Sequence, residues 1–158
     1  MKNLFLANLL LTFIWVALTG KFNFTNFLFG LILSYGILWI LTRSMNNVSY
    51  FKRVPQIISF IFFFLKELIK ANIEVAYDVI TPTNYMDPGI VGIPLDAKTD
   101  LEITLLANFI TLTPGTLSLD ISTDRKTLYV HGMYIRDKST FINDIKSGFE
   151  RRLLEILR

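Results

Sequence analysis

The chain of 158 residues contains no cysteine and a single histidine, His131. Without cysteine it forms no disulfide and offers no thiolate to a metal, and one imidazole is too few for a histidine-rich metal site. The sequence also has no G-x-S-x-G, P-loop, CxxC or HExxH motif. These absences argue against an enzyme, and we expect neither a metal nor a cofactor.

Acidic residues are missing from the first 66 positions, and the first carboxylate is that of Glu67. Five cations precede residue 57, namely Lys2, Lys21, Arg43, Lys52 and Arg53. From residue 97 onward nine bases and eight acids nearly balance. The basic excess therefore lies beside the apolar segments, which favours lipid headgroups and membrane topology as its role. We expect no nucleic-acid partner, because such a protein would carry its cations on the soluble part.

Two long apolar runs predict membrane helices over about residues 4–19 and 24–41. Because the loop between them is short, we expect an antiparallel hairpin, and Gly30 and Ser34 share a face on which helices could approach closely. A cleavable signal peptide is the alternative for the first run, but a second apolar run follows within a few residues. The cations after the second run place that segment and the N-terminus in the cytoplasm by the positive-inside rule.

The third segment, residues 57–80, is predicted to be a membrane-associated helix with Pro55 in its first turn. Its first nine residues are apolar all round, and the charged residues Lys66, Lys70, Glu74 and Asp78 then follow at intervals of four, along one face. The helix either crosses the bilayer with these charges buried against protein or lies at the cytoplasmic interface. Two spans and a non-crossing third segment satisfy the charge rule, so the sequence favours the second arrangement.

A connector at residues 81–89, which contains two prolines and a glycine, separates the membrane region 1–80 from a predicted domain at 90–158. The pattern predicts a strand Ile90–Leu95, a helix from Thr99 to about Leu112, strands Leu117–Ser122 and Thr127–Ile135, and a last helix capped by Ser139. This β-α-β-β-α order indicates a small α+β domain with its helices on one face of the sheet. Leu117, Leu119 and Ile121 are expected on one strand face, and His131 near the sheet surface, where proton handling is the alternative role.

Two stretches carry a family resemblance: Glu-Leu-Ile-Lys-Ala-Asn at 67–72 and Ala-Asn-Phe-Ile-Thr-Leu-Thr-Pro-Gly-Thr at 107–116. With the two N-terminal apolar segments and Leu-Tyr-Val-His at 128–131, the chain resembles, along its whole length, the E subunit of the Mrp/Mnh-type multisubunit monovalent cation/proton antiporters. It departs from the family at Gly132-Met133-Tyr134, where an acidic residue often follows the histidine.

The resemblance implies an accessory or assembly subunit of a multisubunit Na⁺(K⁺)/H⁺ antiporter complex, which supports the stability of the complex and cation/proton exchange. Its partners would be the other subunits and the lipid bilayer. Its localisation would be the cytoplasmic membrane, which it would cross more than once, with the α+β domain in the cytoplasm. Two alternatives remain open. The chain could contribute directly to a proton path at a subunit interface, or it could be a membrane-anchored protein whose cytoplasmic domain has a ligand-binding or regulatory role.

Two groups of candidate residues follow from the resemblance. The first, at a subunit interface or on a proton path, comprises Glu67, Lys70 and Asn72. The second is a docking turn formed by Asn108, Thr111, Thr113, Pro114, Gly115 and Thr116. Physically, Thr-Pro-Gly-Thr stops a helix, since proline lacks an N–H and glycine adopts positive φ. The threonine hydroxyls are expected to bind terminal carbonyls and nearby amides, so shaping this turn is the alternative role of the motif.

Overall fold

The computed structural model describes residues 2–42, 49–82 and 86–158, and the chain divides into two compact units at Pro55 and Gln56. Four residues named in the predictions lie outside the described residues. They are Arg43, one of the cations after the second apolar run, and Thr83, Asn84 and Tyr85 of the predicted connector.

The first unit contains α1 (Lys2–Thr19) and α2 (Phe24–Thr42), which agree within two residues with the predicted helices. Among the described residues, α2 is the one helix that is long and apolar enough to cross a membrane, and α1 provides a shorter apolar stretch, Leu4–Thr19. A left-handed Gly20, with φ of +63°, follows α1 directly.

The contact between α1 and α2 uses small and polar side chains at intervals of four. The buried positions are Asn8, Thr12 and Val16 on α1 and Gly30, Ser34 and Leu38 on α2. A Cβ atom on Gly30 would lie 2.8 Å from the ring of Trp15, so the predicted close approach at this glycine is confirmed. Trp15 donates its indole N–H to Asn26, and Asn26 donates to the Thr19 hydroxyl, which ties the two helices together beside the turn.

The third helix, α3, spans Ser49–Ile80 and begins eight residues before the predicted start at residue 57. Pro55 therefore lies inside the helix, and its predicted place in the first turn is wrong. A proline at position 55 leaves the carbonyl of Phe51 without its helical donor. The Tyr35 hydroxyl donates to that carbonyl at 3.4 Å and replaces the missing bond. The carbonyl that Pro55 leaves without a helical donor thus has a partner in another helix.

The second unit contains the strands β1 (Gly89–Pro94), β2 (Thr116–Ile121) and β3 (Thr127–Gly132) and, between β1 and β2, the helix α4 (Asp100–Thr111). The C-terminal helix begins as α5 (Lys138–Asp144), continues through a π-helical segment (Ile145–Glu150) and ends as α6 (Arg151–Leu157). Within the described residues the three strands form one antiparallel sheet in the order β1-β3-β2. The predicted β-α-β-β-α order is confirmed, although β3 ends at Gly132 rather than at Ile135.

The helices of this unit cover one face of the sheet, as predicted. Val91, Ile93, Leu128 and Val130 of the sheet share one core with α4 and the C-terminal helix, through Leu106, Ile110, Ile145, Phe149 and Leu153. Phe60 of α3 completes this core. On the other face Ile90, Leu117 and Tyr129 are exposed. His131 is half-buried there between Ile90 and Leu117, so its predicted place near the sheet surface is confirmed.

A β-bulge divides the apolar side chains of β2 between the two faces. Ser118 pairs with Val130 and Asp120 pairs with Tyr129, so Leu119 is an extra residue without a partner opposite. Side chains before and after a bulge no longer share one alternation. Leu117 consequently lies opposite His131 on the outer face, whereas Ile121 lies opposite Leu128 on the core side. The prediction that Leu117, Leu119 and Ile121 share a face is wrong.

The start of α4 is as predicted, with Thr99 as N-cap in a capping box with Glu102. The cap of α5 is Asp137 rather than the predicted Ser139. The Asp137 carboxylate accepts from the Ser139 hydroxyl at 2.6 Å and from the Thr140 backbone N–H at 2.7 Å. A charged acceptor is the stronger cap, and these donors hold the pKa of Asp137 well below its usual range.

The predicted stripe on the last helix, Phe141, Ile145, Phe149, Leu153 and Leu157, faces the core. A strict spacing of four would drift around an α-helix, which has 3.6 residues per turn. The π-helical segment, in which the Arg151 N–H donates to the Lys146 carbonyl, adds residues per turn and brings the stripe back to one side. The confirmed stripe thus requires a local departure from the α-helix.

Candidate docking cleft

The Thr-Pro-Gly-Thr turn that follows α4 is held by its own threonines. Thr116 donates its hydroxyl to the carbonyl of Ile110 at 2.6 Å, and Thr113 donates to the carbonyl of Phe109 at 3.1 Å. Thr111 accepts from the backbone N–H of Ser118 at 3.1 Å, which joins the end of α4 to β2. These bonds satisfy carbonyls that a helix end otherwise leaves without donors. The predicted role of the hydroxyls is confirmed.

Gly115 supplies the sharp reversal of this turn, with φ of +85°, a region that side chains with a Cβ atom rarely occupy. Its carbonyl accepts from the Met133 N–H at 2.8 Å, so the turn is joined to the segment after β3. The ring of Tyr134 lies against the glycine, 3.5 Å from where a Cβ would be. Turn and Tyr134 together form one wall of a surface cleft.

This docking cleft has a volume of about 450 Å³ and lies between the turn, α3 and the C-terminal helix. The predicted residues that line it are Glu67, Lys70, Thr113, Pro114, Gly115 and Thr116. The structure therefore brings together two stretches that are more than forty positions apart in the sequence. Three other predicted residues are not among its lining. Asn72 is exposed and donates to the Leu68 carbonyl, while Asn108 and Thr111 are exposed at the end of α4.

The C-terminal helix supplies a wall of the cleft that the sequence prediction missed. Arg152 places its guanidinium 4.6 Å from the centre of the Phe63 ring of α3, at cation–π distance. Its Nε–H is buried and has no hydrogen-bond partner among the described residues. Gly148 allows this approach, since a Cβ there would lie 3.0 Å from the same ring. Only the position of Gly148, inside a helical pattern, could have signalled a close contact.

A second depression continues the cleft along α3, with Lys70, Glu74, Tyr134, Phe141 and Asp144 common to both. Here the Tyr134 hydroxyl donates a very short hydrogen bond to the carboxylate of Asp78. That bond, with burial and the nearby negative charge, raises the pKa of Tyr134 to about 12. The pair joins α3 to the segment after β3, and both residues line this depression.

The docking cleft carries charges of both signs, contributed by Glu67, Lys70, Glu74, Asp144, Arg151 and Arg152. Within the part of the chain that the structure describes, no ion pair joins any two of these six side chains. No group of three potential metal ligands occurs among the described residues either. An open cleft that presents charges of both signs in this way is suited to binding a polar protein segment.

Comparison with known proteins gives one consistent result. Residues 8–156 match the family model described as Na⁺/H⁺ ion antiporter subunit. The chain is 42% identical over 153 residues to the Na⁺/H⁺ antiporter E subunit of Alkalihalophilus pseudofirmus, with 97% of each chain covered. It is 39% identical over 153 residues to the Na⁺/H⁺ antiporter E subunit of Bacillus subtilis, again with 97% of each chain covered.

Two solved structures resemble the fold. A chain of the membrane-bound sulfane sulfur reductase, an archaeal respiratory membrane complex, matches with a TM-score of 0.58 and 29% identity, covering 97% of this chain and 98% of that one. A chain of the Mrp complex from Dietzia matches with a TM-score of 0.51 and 30% identity, covering 65% of this chain and 96% of that one.

Proposed function

Since the chain belongs to the family of Na⁺/H⁺ antiporter E subunits, we propose that it is an accessory subunit of a multisubunit Na⁺(K⁺)/H⁺ antiporter complex. Its role is to assemble and stabilise the complex, while larger subunits move the ions. Apart from Lys2 at the start of α1, neither α1 nor α2 carries a charged side chain, which supports a role outside the ion path.

We further propose that α1 and α2 cross the cytoplasmic membrane as a hairpin and that the N-terminus and the α+β unit are cytoplasmic. Support comes from the length of α2, the apolar stretch of α1 and the cations that follow α2 in the sequence. The buried face of Asn8, Thr12, Gly30 and Ser34 also supports this placement. Small and hydroxyl side chains at such contacts are typical of helix pairs in lipid.

The docking cleft is the surface through which this subunit binds a neighbouring subunit. One observation carries this proposal: Glu67 and Lys70 line the same cleft as the Thr-Pro-Gly-Thr turn, and their charges have no ionic partner among the described residues. A neighbouring segment with complementary charges would complete these pairs and fix its own orientation.

A bulky substitution at the edge of the cleft tests the docking role. Ser147 is exposed and lines the docking cleft, whereas Asn143, one turn earlier on the same helix, is exposed and does not line it. Ser147→Trp is expected to leave the fold of the chain intact but to reduce co-purification of other subunits with the tagged chain at least tenfold. Asn143→Trp is the matched control and should retain them. Equal retention by both variants would exclude the cleft as the docking surface.

Glu67 carries the second candidate function, a proton path at the subunit interface. Glu67 is half-buried and lines the cleft together with the turn, which favours this role over that of a fully solvated charge. Glu67→Gln keeps the size and removes the charge. Loss of Na⁺/H⁺ exchange in vesicles with the complex intact would favour a proton path, whereas loss of the complex would favour docking. Normal assembly with normal exchange would remove Glu67 from both roles.

A further inference from the structure

Helix α3 has two faces from residue 57 onward, and only one of them contacts the rest of the second unit. The side chains of Phe60, Phe63 and Phe64 pack with the core of the α+β unit. Further along the same face, Glu67 and Ala71 line the docking cleft, and Asp78 accepts from Tyr134. Spacings of three and four keep all these positions on one side of an α-helix. This face therefore contacts the α+β unit near Phe60 and at Asp78, with the docking cleft between these two contacts.

The opposite face is apolar and exposed. It carries the exposed side chains Ile57, Ile58, Ile61, Phe62, Leu65, Ile69, Ile73, Val79 and Ile80. At 1.5 Å per residue, the stripe from Ile58 to Ile80 is about 33 Å long. Within it, Asn72 is the polar residue, and its side-chain N–H₂ donates to the carbonyl of Leu68 in its own helix. A continuous exposed apolar surface of this length requires a cover in a folded protein.

A membrane-crossing arrangement of α3 conflicts with the packing of the other face. If residues 60–78 crossed the hydrocarbon, the α+β unit packed against them would also lie at membrane depth. That unit has β1 and β2 as open sheet edges, and lipid-exposed open edges do not occur in the hydrocarbon region. The charged side chains of Glu67, Lys70 and Glu74, which have no ionic partner among the described residues, would be there too.

The edges of the apolar stripe indicate which cover fits. Lys66 is exposed along one border of the stripe, where a long cationic side chain can extend to lipid headgroups. No acidic residue precedes Glu67, so the charge over the first part of α3 is purely positive, as anionic headgroups would favour. The chain also contains a helix that is apolar and long enough to cross a membrane, so a lipid bilayer is available to cover the stripe.

From these observations we propose that residues 57–80 of α3 lie in the plane of the membrane interface, with the apolar stripe in lipid and the opposite face carrying the α+β unit. This arrangement places the docking cleft beside the headgroups rather than inside the hydrocarbon. It goes beyond the subunit role, because it assigns the apolar stripe to lipid rather than to a neighbouring protein.

Spin labels measure the depth of the stripe directly, since the chain has no native cysteine to label. Single cysteines replace Ile58, Leu65, Ile69 and Ile80 in the full-length chain, reconstituted in vesicles of phosphatidylethanolamine and phosphatidylglycerol. Relative accessibility to oxygen and to a water-soluble nickel complex gives each depth. We expect all four labels at a similar shallow depth, about 5–10 Å below the phosphates. Thr104, which is exposed on α4, is the control and should show a much higher ratio of nickel to oxygen accessibility than the stripe.

Two results would overturn the assignment to an in-plane helix. Depths that pass from one surface through the bilayer centre to the other, between Ile58 and Ile80, would show a crossing helix. Labels as accessible to nickel as the Thr104 control would show a stripe outside lipid.

Photo-crosslinking in cell membranes separates lipid from a protein cover. Benzoylphenylalanine at Ile69, which is 60% exposed, should capture no protein if lipid covers the stripe. A protein adduct at Ile69 would assign the stripe to a neighbouring subunit and overturn the proposal. The same group at Ser147 reports separately on the docking cleft, so failure of one proposal is distinguished from failure of the other.

Discussion

At the residue scale, Gly115 permits the positive φ of the turn, and a Cβ there would meet the ring of Tyr134 only at ordinary contact distance, so the backbone conformation is what requires glycine. A Cβ atom strains this backbone region by about 1–2 kcal/mol. We therefore expect Gly115→Ala to lower the free energy of unfolding by that amount, measured by denaturation of the full chain in detergent. Gly89→Ala is the control, because its Cβ would meet only ordinary contact at 3.5 Å. Equal losses in both variants would contradict the strain argument.

Glu102 has a structural role that its sequence position only partly revealed. It closes the capping box at the start of α4, and it is also buried and accepts from Arg158 at 3.1 Å. The hydrogen bond from Arg158, with those from the backbone of Lys98 and Thr99, lowers the pKa of Glu102 to about 2. The long-range partner could not be predicted, because no local pattern relates positions 102 and 158.

The pH dependence of stability should report this carboxylate. Because its folded pKa is lowered, its contribution is present above the unfolded pKa, about 4.5, and is lost as pH falls toward about 2. We expect Glu102→Gln to cost about 2 kcal/mol at neutral pH and to flatten the acid limb of the stability profile. Asp100→Asn, whose partner Arg125 is exposed, should change stability by less than about 0.5 kcal/mol. An unchanged acid limb in Glu102→Gln would refute the assignment.

At the element scale, the pair α1–α2 depends on one glycine for its close contact. The chain has two glycines in α2, and they differ in what a side chain would meet. At Gly30 a Cβ would lie 2.8 Å from the Trp15 ring, whereas at Gly36 nothing lies within 4 Å. The same residue type thus serves a packing role at one position and none at the other, within the described structure.

Leucine substitutions at these two glycines test this difference. Cysteines replacing Phe13 and Phe27, whose ring centres lie 5.8 Å apart, report the proximity of the helices through disulfide yield. Gly30→Leu is expected to lower that yield severalfold, because its Cβ would lie 2.8 Å from the Trp15 ring and the helices would have to move apart. Gly36→Leu should leave the yield unchanged. A similar fall in both variants would mean that the added bulk, and not the contact with Trp15, separates the helices.

Some elements of this fold could be predicted from local sequence patterns, and others could not. Helices α1, α2 and α4 and the hairpin β2–β3 follow from apolar periodicity, caps and turn residues, all of which act within a few positions. The features that were missed depend on distant partners. At the start of α3, which continues through Pro55, the Phe51 carbonyl has its donor in distant Tyr35. The bulge at Leu119 is set by pairing with β3, and the cleft forms only when α3 and the C-terminal helix meet at Phe63.

At the scale of the whole molecule, the distribution of charge divides the chain into a part made for lipid and a part made for water. The first 66 residues hold no acid, whereas residues 97–158 hold bases and acids in near balance. The docking cleft lies where these parts meet in sequence, since Glu67 is both the first acid of the chain and part of its lining. Because α3 lies at this boundary in the sequence, it carries both charged side chains that line the cleft and a stripe of exposed apolar side chains.

Membrane orientation should follow from the same charge distribution. The segment after α2 has Arg43, Lys52 and Arg53, whereas the loop between α1 and α2 has Lys21 alone, so the positive-inside rule predicts a cytoplasmic α+β unit. We expect a fluorescent protein fused to the C-terminus, of a type that matures only in the cytoplasm, to fluoresce in the native chain. Replacing the three cations after α2 by Gln and introducing Phe22→Lys and Asn23→Lys in the loop should reduce that fluorescence severalfold at equal expression. Introducing the two lysines alone is the intermediate control. If the reversed chain fluoresced as strongly as the native one, the cations would not determine orientation, and packing against neighbouring subunits would have to fix it instead.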